Sequence, residues 1–220
     1  YMGNKAQSGF LLLDLMTRKG VREGIRHTYQ VGNSAGDIQL FHLFDQTLKQ
    51  NAITGHGDLS QQFGTIRASL VSDLRANAYQ YAPQSKSFNT QLTLSRSRPG
   101  ANTSLVLNQG INEVVTKTTN LHGNLTNRQQ FGNRISMDNN FDFNSFNTGT
   151  QTTARLTSQT AFSRNEGKFD WTLSAQKLTD LSDEAFVGGG RFAGIERLPE
   201  LALISDSGRL GKTLPFGLPA

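Results

Sequence analysis

The chain has 220 residues, a net charge of +5 and a mean hydropathy of −0.45, which is enough length for one large domain. It contains no cysteine, which excludes a disulfide framework, a cysteine-ligated zinc site and a cysteine nucleophile. No window approaches about 18 consecutive apolar residues, so a transmembrane helix is excluded, whereas a transmembrane strand, which shows lipid only alternate residues, is not.

Apolar and polar residues alternate in six segments of the chain. In 21–31, Ile25 and Tyr29 lie on one side while Arg22 and Arg26 lie on the other. This period of two is typical of a strand that separates two environments. The other five segments are 62–74, 87–96, 133–143, 151–163 and 168–178. Six weaker candidates are 9–17, 36–45, 51–58, 77–82, 101–109 and 116–126.

Turn-forming residues separate these segments. The predicted turns, each rich in Gly, Asn, Ser or Pro, are 17–20, 33–36, 98–101, 127–132, 144–149 and 164–167. Beyond Leu178 the glycines 188–190 and Pro199 interrupt the pattern, and we predict a long loop over 179–198. Residues 1–220 are therefore predicted to be all-β, a single segment of about 11–13 strands.

The polar sides of these strands favour a membrane barrel. They are rich in Asn, Gln, Ser and Thr, with some Arg and Asp, which suits a wet lumen better than a surface in bulk water. Aromatic residues near strand ends would form interfacial girdles. They are Tyr29, Tyr79, Tyr81, Phe88, Phe141, Phe143, Phe169 and Trp171. Together these features predict an antiparallel β-barrel in the cell outer membrane.

Two features do not fit a small, complete barrel. Glu23 and His27 fall on the apolar side of their strand, and a charge at the bilayer midplane costs about 2–4 kcal/mol. Either they lie near the strand ends or that strand faces protein. The chain opens at Tyr1 without a signal-peptide pattern and ends at 217–220 without a clear last strand, so we expect a fragment of a larger barrel.

Catalytic and metal-binding motifs are missing from the sequence. The four histidines lack metal-ligand spacing, and the local pairs His42/Asp45 and His56/Asp58 are interpreted as polar residues on strands or turns. There is no nucleophile elbow and no P-loop. The basic residues are scattered rather than clustered. We therefore expect no enzyme activity, no cofactor, no metal and no nucleic-acid partner.

Short motifs at the two ends of the chain resemble a known family. The first set comprises Gly9-Phe10, Asp14-Leu15, Arg18-Lys19-Gly20, Glu23-Gly24, Tyr29, Gly36 and Leu43-Phe44-Asp45. The second is the segment Arg197-Leu198-Pro199-Glu200-Leu201, preceded by Glu196. Both resemble the barrel domain of the LptD family of lipopolysaccharide-assembly proteins, also called organic solvent tolerance proteins.

The resemblance implies that the chain is part of a very large barrel that delivers lipopolysaccharide to the outer leaflet. It also implies a plug lipoprotein in the lumen and periplasmic bridge proteins as partners. The chain departs from the family in lacking the periplasmic domain and the cysteines, and in supplying about half the strands.

Arginines on the polar sides of the strands are candidate contacts for the lipid head group. They are Arg22, Arg26, Arg67, Arg134 and Arg155. They could equally pair with Asp73, Asp138 and Asp142 and simply fill the lumen. The segment 197–201 could likewise be a structural feature at a strand start.

Two other functions remain open from the sequence alone. A general porin or solute-uptake barrel shares every strand-level feature with a lipid-export barrel. A soluble all-β binding or adhesion module is the other, although the polar sides of soluble sandwiches are usually dominated by Lys and Glu.

Overall fold

The computed structural model of this protein describes residues 2–4, 6–17, 20–79, 83–165, 169–182 and 196–205. These residues form thirteen antiparallel strands in one sheet, each paired with its neighbours in sequence. The strands are β1 (Met2–Asn4), β2 (Gln7–Met16), β3 (Gly20–Val31), β4 (Ser34–Asp45), β5 (Gln50–Phe63), β6 (Ile66–Tyr79), β7 (Ser85–Arg98), β8 (Ala101–Glu113), β9 (Lys117–Phe131), β10 (Ile135–Asn147), β11 (Thr152–Asn165), β12 (Asp170–Asp180) and β13 (Glu196–Ile204).

The prediction of an all-β antiparallel fold is confirmed. From β2 to β12 the strands have 10–15 residues, as long as or longer than the roughly 9–11 that a tilted strand needs to cross a bilayer. No helix among the described residues is long and apolar enough to cross a membrane. Within the described residues no ladder joins β13 back to β1, so the sheet has two edges.

Tight turns connect the strands at one end of the sheet, which we call the short-turn end. They are Gly32-Asn33, Gly64-Thr65, Pro99-Gly100 and the three residues 132–134. Gly32 and Gly64 have φ of 58° and 59°, the left-handed region that a two-residue hairpin turn requires at its first position.

The opposite end, which we call the long-loop end, carries connections that are on the whole longer, with three or more residues each. They include 46–49, 114–116, 148–151 and the stretch between β12 and β13. The first is held by Asp45, whose Oδ1 accepts hydrogen bonds from the backbone N–H groups of Thr47 and Leu48, both at 2.9 Å. Asp45 is buried, and the two hydrogen bonds from the turn offset the cost of removing its carboxylate from water.

Several predicted boundaries are wrong. The segment 62–74 is two strands, because Gly64-Thr65 is a complete hairpin turn. Residues 127–131 of the predicted turn 127–132 are the end of β9, and 144–147 of the predicted turn 144–149 belong to β10. The weak strand 77–82 is the end of β6 up to Tyr79, with 80–82 outside the described residues.

Two further boundaries shift by a few residues. The turn predicted at 33–36 lies at 32–33. Most of the predicted loop 179–198 lies outside the described residues, and its two ends fall within β12 and β13.

Little of this sheet is buried. Ala154 is the single buried hydrophobic residue among those described, and no large side chain there is fully buried. Leu11 is 80% exposed and Leu203 66%. The described residues are therefore one layer without a hydrophobic core, and whatever covers the apolar side chains is not protein from this layer.

Candidate functional site

The register of the ladders sorts the side chains into two faces, because directly opposite residues in antiparallel strands share a face. The apolar face includes Leu11, Ile25, Leu40, Ile53, Leu70, Leu92, Leu107, Leu125, Phe141, Leu156, Leu173 and Leu201. The polar face includes Arg22, Arg26, Asp37, His56, Asp73, Asn89, Gln91, Asn108, His122, Asn124, Asp138, Asp142 and Gln159.

Charges on the apolar face are confined to the ends of the strands. Among the described side chains they lie within the first or last four positions of a strand. They are Glu23, Lys86, Arg96, Arg98, Glu113, Lys117, Arg164 and Lys177. Near the strand centres this face carries residues such as Ile25, Leu40, Leu92, Leu107 and Phe141. An uncharged band between two charged borders is the surface that a bilayer requires.

The predicted anomaly is resolved for Glu23 by position and partners, whereas His27 lies near the middle of β3. Glu23 is near the long-loop end of β3, where its Oε1 lies 3.1 Å from Nδ1 of His42. The His42 Nε2 atom lies 3.3 Å from Oδ1 of Asn51. The His27 ring stacks on Tyr29, with centroids 6.3 Å apart. Glu23 thus lies near the strand end, as one of the two expected alternatives requires.

Carboxylates on the polar face pair across neighbouring strands. The Arg26 guanidinium binds Asp37 through Nε at 3.0 Å and through Nη2, and Gln39 donates to the same carboxylate at 3.0 Å. The His56 Nδ1 atom lies 2.9 Å from Oδ1 of Asp73. All these side chains are partly exposed, so the pairs stay accessible to water.

A second group of charges lies further along the same face. The His122 Nε2 atom is 2.8 Å from Oδ2 of Asp142, which also accepts a hydrogen bond from Asn124 at 3.3 Å. Arg128 Nε lies 3.5 Å from Oδ1 of Asp138. No local sequence signal predicts these pairs, because they link residues 10 to 20 positions apart on the neighbouring strands β9 and β10.

The predicted arginine contacts are only partly brought together. Arg22, Arg26, Arg67 and Arg155 lie on the polar face, whereas Arg134 is exposed in the turn between β9 and β10. Arg26 is paired with Asp37, and the Arg22 guanidinium lies 4.4 Å from the centre of the Phe41 ring. The suggested partners Asp73, Asp138 and Asp142 instead contact His56, Arg128 and His122. A role for the five arginines in head-group binding stays a prediction.

The segment Arg197–Leu201 forms the first half of β13, beginning at its second residue. Ser174 pairs with Glu200 and Gln176 pairs with Arg197, so two residues, Leu198 and Pro199, oppose the single Ala175. Proline has no N–H for the ladder, and a bulge on an edge strand is one of the few places where a sheet accepts it. The motif is accounted for by strand geometry.

The described part of the sheet has hollows on both faces. Two open on the polar face: one of about 490 Å³ is lined by residues that include Ser95, Asn102, Arg128 and Asp138, and one of about 550 Å³ lies beside it next to Asp170. The third, of about 400 Å³, lies on the apolar face at the long-loop end. Among the described residues no group of three or more His, Asp or Glu could hold a metal ion.

Comparison with known proteins gives no family for this chain. No family model matches, and no curated protein matches. The solved structures that match include the following two. The outer-membrane expressed OmpT of Vibrio cholerae has 6% identity and a TM-score of 0.42 over 91% of this chain and 76% of its own. The in-vitro folded OmpT, an outer-membrane protein of Vibrio cholerae, has 7% identity and a TM-score of 0.41 over 90% and 92%.

The predicted membership of the LptD family is wrong. No family model supports it, and the solved structures found are OmpT proteins. The physical reason is that both sets of motifs are explained by architecture: the first spans amphipathic hairpins joined by glycine turns, and the second is a bulged edge strand. Lipopolysaccharide assembly, the plug lipoprotein and the periplasmic bridge were implied by that resemblance alone and lose their support. The described residues form one antiparallel sheet with an apolar and a polar face, and the two neighbours are outer-membrane proteins by name.

Proposed function

We propose that this chain forms the wall of an outer-membrane barrel that passes polar solutes through a water-filled lumen, as a general porin or a solute-uptake barrel. The observation that carries the proposal is the division of charge between the faces. The polar face carries charged side chains at the middle of its strands, such as Arg26 and Asp73, whereas among the described side chains the apolar face carries no Asp, Glu, Lys or Arg there. Lipid on one side and water on the other satisfy both faces at once.

The surface of β7 and β8 supports passage of solutes rather than a packed interior. Along this pair of strands the polar face carries no charged residue, and Asn89, Gln91 and Asn108 are among its amide side chains. Amides both donate and accept hydrogen bonds, so they replace water around a passing solute without fixing its charge.

The proposal requires that the sheet edges be paired, because an open edge in hydrocarbon leaves backbone groups without hydrogen-bond partners. A soluble adhesion module is disfavoured by the absence of a second layer over the apolar face among the described residues. Moving that face from water into lipid stabilises each Leu or Phe by up to about 1.5–3 kcal/mol.

Single cysteines test this proposal cleanly, since the natural chain has none. The variants Gln91→Cys and Leu92→Cys place a thiol at neighbouring positions on opposite faces near the centre of β7. The full chain is inserted into planar bilayers, and its conductance is recorded before and after a charged, membrane-impermeant thiol reagent is added.

We expect the reagent to change the conductance of the Gln91→Cys protein and to leave that of Leu92→Cys unaltered. Unmodified protein treated with the reagent is the control. Quantitative recovery of the chain in the soluble fraction without detergent, or equal reaction at both thiols, would contradict the proposal.

A further inference from the structure

The outward arginines at the short-turn end form a second candidate site. Arg96 and Arg98 lie on the apolar face within the last three positions of β7, and Arg134 lies in the turn between β9 and β10. All three are exposed, and Arg164, at the next-to-last position of β11, is half-buried. We call these four residues the arginine rim.

Hydrogen bonds between strands place the rim on one continuous strip of the sheet. The N–H of Asn165 donates to the carbonyl oxygen of Arg134 at 3.0 Å, which puts Arg134 beside Arg164. The N–H of Gln130 donates to the carbonyl oxygen of Gly100 at 2.6 Å, which joins the turn after Arg98 to β9. The rim therefore extends from β7 to β11 along the short-turn end of the sheet, where Arg134 and Arg164 also line the hollow of about 550 Å³ next to Asp170.

This border differs in charge from the opposite one. At the long-loop end Lys86 lies directly opposite Glu113, and Glu113 opposite Lys117, so basic and acidic residues alternate. At the short-turn end no acidic residue is on the apolar face among the described residues. Within that same part of the chain, Arg96, Arg98 and Arg134 have no carboxylate within 4 Å.

Aromatic residues mark the depth at which the rim lies. Phe131 ends β9, and Trp171 is directly opposite Arg164 near the start of β12. Aromatic rings of this kind settle at the level of the lipid head groups. Guanidinium groups at that level match phosphate oxygens through paired N–H donors.

We propose that the arginine rim binds the phosphate groups of anionic phospholipids. The inference rests on the proposed function, because it requires the apolar face to be in lipid. Short turns are the periplasmic ones in outer-membrane barrels, so the rim lies in the periplasmic leaflet. Among the described residues the apolar face has charges of one sign at this border, whereas at the opposite border Glu113 lies opposite both Lys86 and Lys117.

The single tryptophan of the chain reports on this site. The full chain is inserted into phosphatidylcholine vesicles with a minor fraction of phosphatidylglycerol, with one or the other lipid brominated on its acyl chains. Quenching of Trp171 by each brominated lipid gives their relative binding beside β12. We expect phosphatidylglycerol to quench more strongly at equal mole fraction, with the preference shrinking as salt is raised.

The variant with Arg96→Gln, Arg98→Gln and Arg134→Gln should lose about five-fold of this preference per arginine at low ionic strength. Changing the same three residues to Lys should retain most of it, since the charge is kept. The matched control is Lys86→Gln with Lys117→Gln, which removes two positive charges from the other border of the same face.

Three results overturn the proposal. They are equal quenching by both lipids in the unmodified chain, an unchanged preference in the three-arginine variant, and an equal loss in the lysine control. If neither brominated lipid quenches Trp171, the apolar face is not in lipid and the proposed function fails as well. Quenching by both lipids without preference removes this inference alone.

Discussion

The two faces of the sheet share every backbone hydrogen bond and differ only in side chains. Near the strand centres the apolar face carries Ile25, Leu40 and Leu92, while the polar face carries the pairs Arg26–Asp37 and His56–Asp73 at similar depth. Residue-by-residue alternation places both sets on the same strands. The comparison teaches that the chain is built for two different solvents rather than for a core.

The borders of the faces differ as well. Among the described side chains, Asp, Glu, Lys and Arg lie only toward the strand ends on the apolar face, whereas on the polar face they also lie at strand centres. The exclusion of charge from the strand centres is therefore a property of the apolar face alone. In a bilayer, the width of this uncharged band would match the thickness of the hydrocarbon layer.

The largest difference between the faces is expected when the same charged side chain is introduced at two neighbouring positions, one on each face. Leu92→Arg puts a charge at the centre of the apolar face, which should cost about 2–4 kcal/mol of folding free energy in a bilayer. Gln91→Arg adds the same side chain one residue earlier on the polar face, where water solvates it, and should change the folding free energy little. Urea titration of the chain folded into vesicles measures both.

Equal costs at the two positions would show that the faces do not meet different solvents. Leu92→Ala serves as a control for lost side-chain volume at that site. It should cost less than Leu92→Arg, because it buries no charge.

A smaller loss of folding free energy is expected at Gly24, where side chains of the polar face pack tightly together. A methyl group on Gly24 would overlap the Phe41 ring and lie 2.7 Å from the Leu40 carbonyl oxygen, and the Arg22 guanidinium covers the far part of this cluster at 4.4 Å from the ring centre. Gly24→Ala should therefore cost about 1–3 kcal/mol in the same urea titration.

Gly57→Ala is the matched control for this substitution. A methyl group there meets nothing within 4 Å, at the middle of β5 on the apolar face. It should be neutral or stabilising by up to about 1 kcal/mol, because it restricts the unfolded chain. A destabilisation as large as that of Gly24→Ala would mean that the loss at Gly24 reflects strand conformation rather than the contact with Phe41.

Much of this architecture could be predicted from local alternation, and the errors have common physical causes. Alternation predicts a single strand over 62–74. It misses the hairpin there, because a turn of only two residues, Gly64-Thr65, reverses the chain. The ends of β9 and β10 were assigned as turns because Asn favours turns in water. Here Asn127 and Asn144 lie on strands with a partner strand on each side, which fixes the backbone regardless of intrinsic preference.

The ion pairs could not be predicted in this way. Whether His56 faces Asp58 or Asp73 depends on the register between β5 and β6, which the turn at Gly64-Thr65 sets. Alternation with Ile135 predicts Arg134 on the polar side of a strand, yet Arg134 lies in the turn at the short-turn end. The position of a residue at a strand end depends on where the strand stops, and its partner depends on the register between strands. Neither can be read from the few residues around it.

The smallest expected effect tests how wet the polar face is. His122 and Asp142 have side chains 36% and 31% exposed, and their contact is 2.8 Å. A double-mutant cycle with His122→Ala and Asp142→Ala should give a coupling energy of about 0.2–1 kcal/mol, the range for exposed ion pairs, and added salt should lower it. A coupling of several kcal/mol that salt does not change would mean that the pair is shielded from water. Since the polar face has no second layer among the described residues, only a plug or partner in the lumen could supply that shielding, and passage of solutes along this face would then be ruled out.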